Sequence, residues 1–183
     1  MEKTMPKRNF RLKMQHACGS DELRPVFSNV KFENGYMYAT DAHIIVRAAV
    51  LAFSDFDPSE VDILNGKFLD VDTFKKVIAC KHVVVTEEGI TDLKTKALYR
   101  FAEVEKYPDV EAVMNVGPRN EIDEIGIQHN VLSRMLKVIS SSGFNGARYQ
   151  FCAKNKGITI LSNDSTLSEN EFKGILMPAM IYG

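Results

Sequence analysis

Asparagine followed by glycine at positions 34–35, set between two runs of alternating apolar residues, demands a β-hairpin. Both central residues of a type I′ turn need positive φ, and Asn-Gly supplies it at little steric cost. Before the turn, Val30 and Phe32 alternate with Asn29, Lys31 and Glu33, the period of a half-buried strand. After it, Tyr36-Met37-Tyr38-Ala39 runs back as the partner strand. Thr40-Asp41-Ala42-His43 then breaks the apolar pattern, and residues 44–50 resume it as a third strand. The break reads as a tight turn in which Asp41 accepts backbone N–H groups.

Around this hairpin the same order of elements recurs. Residues 10–16 alternate as a strand, with Phe10, Leu12 and Met14 on one side. Residues 53–60 read as a loop punctuated by Pro58. A short strand at 68–71 leads into a helix ending near Cys80, capped by Asp70 or Asp72, with Val71, Phe74, Val77 and Ile78 on one face. Strands are expected at 82–86, 89–93 and 97–104, after which Tyr107-Pro108-Asp109 closes the unit and residues 117–120 form a linker. A strand at 122–127, a helix at 129–140 opened by His129 or Asn130, and strands at 149–153, 157–161 and 172–177 repeat the order. A βαβββ unit is therefore expected at 67–114 and 121–181, and in reduced form at 9–52. The fold class is α+β, with antiparallel sheets and short helices packed on one face. In domains, residues 1–8 are a disordered tail, 9–116 one domain and 121–183 a half-domain.

Composition narrows the function classes. At 183 residues and 45% hydrophobic the chain buries a core without a metal or disulfide staple. Cys18, Cys80 and Cys152 are odd in number and far apart, which fits a reducing cytoplasm and gives no zinc spacing. The first residues carry charge without an apolar run, and no stretch is long enough for a membrane span. No cofactor is called for. The net charge of −1 excludes wholesale coating of nucleic acid but not a local basic face. On the helix at 72–80 the outward residues are Asp72, Lys75 and Lys76. On the helix at 129–140 they are His129, Asn130, Ser133, Arg134 and Lys137, with no acid. Such faces suit a phosphate backbone, and they also suit plain solvation.

Repeated βαβββ units with basic-faced helices resemble the sliding clamps that tether replicative DNA polymerases. Four short segments resemble the bacterial clamp, the β subunit of DNA polymerase III, in order. They are residues 23–32 (LRPVFSNVKF), Ala39-Thr40-Asp41-Ala42-His43, Glu105-Lys106-Tyr107-Pro108-Asp109 and Ile175-Leu176-Met177-Pro178. The chain departs from the family in length, in Ala42 where the motif has glycine, and in Ile44 where a basic residue follows the histidine. The resemblance implies a shortened, DNA-clamp-like processivity or docking factor. It implies a groove for partner peptides, from polymerases or other clamp-binding proteins, at Thr40, Ala42, His43, Ile44, Ile45, Ile175, Leu176 and Met177. It implies non-specific binding of duplex DNA through Lys75, Lys76, Arg134 and Lys137, and a homo-oligomer if a ring closes. The alternative is a clamp-derived interaction module that does not encircle DNA.

Enzymatic readings are thin. Asp41 and His43, two apart, suggest an acid–base pair, and Cys18 near His16 suggests a thiol nucleophile. No GxSxG, HExxH or P-loop accompanies them, so the chain is read as non-enzymatic.

Overall fold

The computed structural model describes residues 7–143 and 145–179. Its scaffold is a seven-stranded antiparallel sheet. Strands β1 (Asn29–Glu33), β2 (Tyr36–Thr40) and β3 (Ile44–Ala49) form the meander expected around Asn34-Gly35. Asn34 and Gly35 have φ of +51° and +82°, the mirror-image turn that this dipeptide favours. Strand β4 (Phe68–Asp70) pairs with β1. Strands β5 (Val83–Thr86), β6 (Gly89–Asp92) and β7 (Leu98–Arg100) make a separate small sheet. Strands β8 (Ala147–Gln150), β9 (Ile158–Ser162) and β10 (Phe172–Leu176) return to the large one. There β10 pairs antiparallel with β3, joining the first and third meanders edge to edge.

Helices cover both faces of the large sheet. Helix α1 (Pro58–Leu64) and helix α2 (Val71–Ala79) precede the small sheet, α3 (Val110–Met114) follows it, and α4 (His129–Ser141) precedes β8. Phe74 and Val77 of α2 and Val131, Met135, Val138 and Ile139 of α4 enter the main core. They share it with Phe32, Met37, Ile44, Val46, Ile160 and Phe172 of the sheet. The opposite face carries a smaller cluster in which Val110 and Met114 of α3 pack on Tyr38, Ile45 and Ile175. The helices therefore do not all lie on one face.

The N-terminal segment fills the core without joining a sheet as a strand. Phe10, Leu12 and Met14 are fully buried, as their alternation predicts. Phe10 makes only an isolated bridge to Ser54, and residues Met14–His16 turn into a 3-10 helix. The strand expected at 122–127 is likewise one bridge, between Gly126 and Ala179. Of the tail expected at 1–8, residues 1–6 lie outside the described residues, as do the last four of the half-domain expected at 121–183. Lys7 and Arg8 are placed. Arg8 donates its backbone N–H to Lys81 (2.8 Å), and its guanidinium pairs with Glu60 and Asp57. Glu60 is a helix-start residue, its carboxylate accepting the N–H groups of Asp57 (3.0 Å) and Val85 (3.0 Å). These contacts hold its carboxyl below the usual range against the opposing effect of burial. Among the described residues no helix is long and apolar enough to cross a membrane.

Candidate functional site

The Thr40–His43 break is a tight turn built on two side chains. Asp41 Oδ1 accepts the N–H groups of His43 (2.8 Å) and Ile44 (2.7 Å), as the sequence predicts for that aspartate. Thr40 Oγ1 accepts from Ala42 N (3.1 Å) and donates to Ile44 O (2.8 Å). Ala42 is driven to φ +75°, the left-handed region. The far end of the chain meets this turn: Met177 N–H donates to His43 O (2.9 Å), and Leu176 pairs with Ile44 in the ladder.

Beside the turn lies a groove of about 520 Å³. Thr40, Ala42 and Ile45 form one wall, and α3 with Pro108 forms another. Met177, Lys156 and Gly157 close the third side. Its surface is mainly apolar, with Asn115, Asp109 and Asn155 as polar points, the make-up expected of a binding groove. Val113 and Met177 are half-exposed there, at 52% and 38%. Gly157 has a specific reason to be glycine, since a Cβ would sit 2.6 Å from an Ile175 methyl.

Of the eight groove residues expected from the sequence, Thr40, Ala42, Ile45 and Met177 line it. Ile175 is buried beneath it in the α3 cluster. His43 is exposed outside the lining, contributing its carbonyl to Met177. Ile44 and Leu176 lie in the main core, on the other face of the sheet. The physical reason is strand parity: neighbours in a strand point to opposite faces, so Ile44 cannot share a side with Ile45. The α3 wall is absent from the sequence reading. Its signal is Asp109, whose carboxylate caps the helix at Ala112 N (3.2 Å).

The four cations expected on the helices behave differently from one another. His16 lies between α4 and α2. Burial first, then the charges of Lys137, Lys13, Arg134 and Lys75, pull its imidazole below the usual histidine range. A basic cluster therefore surrounds that short turn. Lys75 pairs with Asp72 (2.9 Å) on the helix surface. Lys76 and Lys137 are exposed. Arg134 is turned inward. It pairs with Asp41 and donates to the carbonyls of His16 (3.0 Å) and Cys18 (2.9 Å). It is a strut between α4, the N-terminal segment and the Asp41 turn, not an open cation.

Catalytic geometry does not assemble. Both Asp41 oxygens are committed to the turn and to Arg134. Cys18 is buried, and burial pushes its thiol up to about 12, away from the reactive thiolate. Among the described residues no group of three or more His, Cys, Asp or Glu is placed to hold a metal.

Neither a protein-family model nor a curated protein sequence matches the chain. Solved structures do. The DNA polymerase III subunit beta from Pseudomonas aeruginosa is similar at 12% identity, over 93% of this chain and 62% of that one, with a TM-score of 0.58. The sliding clamp of the same organism bound to griselimycin gives 13% identity, 99% and 68% coverage and a TM-score of 0.59. The beta subunit from Thermotoga maritima gives 8% identity, 94% and 64% coverage and a TM-score of 0.60. This chain spans about two thirds of the length of those clamps. At such identities the likeness is one of fold, and it is the sliding-clamp fold that the sequence motifs resemble.

Proposed function

We propose that this clamp-fold chain is a non-enzymatic cytoplasmic docking factor. It takes a short apolar segment of a polymerase or other clamp-binding partner into the groove beside the Asp41 turn. It holds duplex DNA, without sequence preference, against the basic cluster of α2, α4 and the His16 turn. The observation that carries this reading is the groove itself. A largely apolar cleft of about 520 Å³ sits where the turn, α3 and the end of β10 converge, with Met177 and Val113 half-exposed in its wall. Methionine suits a surface that accepts varied side chains.

Selection of displayed random peptides on the purified protein tests the groove. Enriched peptides should share apolar anchors and should lose binding to Val113→Arg. Equal binding to that variant places the partner site elsewhere. DNA is tested by the anisotropy of a labelled duplex against salt. Affinity should fall steeply as salt rises, and Lys76→Ala with Lys137→Ala should flatten the slope by about two charges.

One observation favours a second reading, an interaction module that does not encircle DNA. Arg134 is spent inside the fold and the charge of exposed Lys75 is already matched by Asp72, so fewer unpaired cations are on offer than the sequence counts. A monomer by light scattering, with no salt-dependent DNA binding, decides for this second reading.

A further inference from the structure

A second, polar cleft of about 150 Å³ adjoins the groove, sharing Asn115 and Val116 as a common wall. Its floor is the junction of β3 and β10. There Arg47 and Lys173 stand directly opposite each other on the same face of the sheet. Like charges at opposed positions are destabilising, so this pair works against the sheet it sits in.

Neither cation is fully satisfied. Arg47 Nη1 pairs with Glu111 (3.2 Å), but its Nε is buried without a partner. Among the described residues no ion pair reaches Lys173. Burial, then the charge of Arg47, pull the Lys173 ammonium below the usual lysine range, against the opposing effects of Glu111 and Glu169. Glu169 is already shared by Arg119 (3.9 Å) and Arg148 (3.4 Å). Arg47 and Lys173 thus line a small polar cleft whose one lining carboxylate, Glu169, is already held by two other arginines, and the cleft opens beside an apolar groove.

We propose that this cleft receives an acidic side chain of the segment docked in the groove, making the chain selective for partners that carry a carboxylate next to their apolar anchor. The inference rests on the groove being a docking site. A carboxylate reaching Lys173 would supply the acceptor that this ammonium lacks and offset its repulsion with Arg47, and charge-assisted hydrogen bonds of this kind are the strong ones.

The test is an array of short immobilised peptides that carry a pair of leucines as anchors, with Asp or Asn placed at each remaining position in turn. At one position Asp should bind on the order of tenfold tighter than Asn. That preference should vanish in Lys173→Met and return in Lys173→Arg, while affinity for the Asn peptides stays unchanged in both variants. Thermal melts of the variants check that the fold is kept. Leucine-dependent binding that is lost in Val113→Arg but shows no Asp preference overturns the inference and leaves the groove reading standing. Absence of leucine-dependent binding overturns both. An Asp preference that survives Lys173→Met places the acid elsewhere and also overturns the inference.

Discussion

Ala42 holds φ at +75° in a turn whose neighbours leave it no alternative, because Asp41 and Thr40 pin the backbone on both sides. A left-handed conformation places the Cβ of an L-residue against the following carbonyl, and glycine escapes that cost. The residue is exposed and lines the groove, so its methyl has little packing to lose. Ala42→Gly is expected to stabilise the fold by about 0.5–1 kcal/mol, net of the extra entropy of an unfolded glycine. Urea unfolding followed by circular dichroism measures this, and a midpoint that falls would show that the methyl contributes more than the strain costs. The same substitution enlarges the groove by one methyl group. Peptide affinity and stability therefore report on separate properties of a single position.

Helix α4 is bound to the rest of the molecule by polar ties as well as by its apolar face. Arg134 bridges to Asp41, His16 and Cys18, and Ser141 accepts the N–H of Lys13 (2.8 Å). The Asp41 side chain is only 8% exposed, so removing its cation strands a nearly buried charge. Arg134→Met should therefore cost roughly 2 kcal/mol of stability while leaving the salt slope of DNA binding nearly intact. Denaturant unfolding and DNA anisotropy on the same variant separate the two effects; a flattened slope with full stability would return Arg134 to the DNA face. From sequence, Arg134 was indistinguishable from Lys137, because helical periodicity says which side faces outward but not what another segment brings there. Local signals fared better. Asn34-Gly35 gave the hairpin, Asp70 caps α2 at Asp72 and Thr73, and Asp41 holds the turn, each through contacts within a few residues. Helix α1 was also legible, since Asp57-Pro58-Ser59-Glu60 carries a proline at the first position and a glutamate that reaches back to the cap. The loop expected at 53–60 misses it, because a proline marks a helix start and a turn alike. The strand expected at 10–16 failed for a different reason. Alternation predicts which side chains are buried, but a strand also needs a neighbour, and only Phe10 finds one.

Across the whole molecule, the pairing of β3 with β10 decides how the units communicate. Residues far apart in the chain meet there in a ladder running from Phe172–Ala48 to Leu176–Ile44. The main core continues across it, from Phe10, Phe74 and Ile90 to Met135, Ile160 and Phe172. A chain divided into a domain at 9–116 and a half-domain at 121–183 would cut through this sheet and this core. The seam also borders both clefts, one through Ile45 and Met177 and the other through Arg47 and Lys173. Unfolding should therefore be a single cooperative event, because neither side keeps a closed core without the other. Gly174 gives a probe within the seam: it lies in β10 beneath Met135, and a Cβ there would meet the methionine's terminal methyl at 2.9 Å. Gly174→Val should displace the buried Met135 side chain and destabilise the fold by about 1–3 kcal/mol through overpacking. With one cooperative unit, amides of β1 and β2 should lose hydrogen-exchange protection by the same free energy as those of β8 and β9. Protection lost only in β8 and β9 would mean that the third unit opens alone.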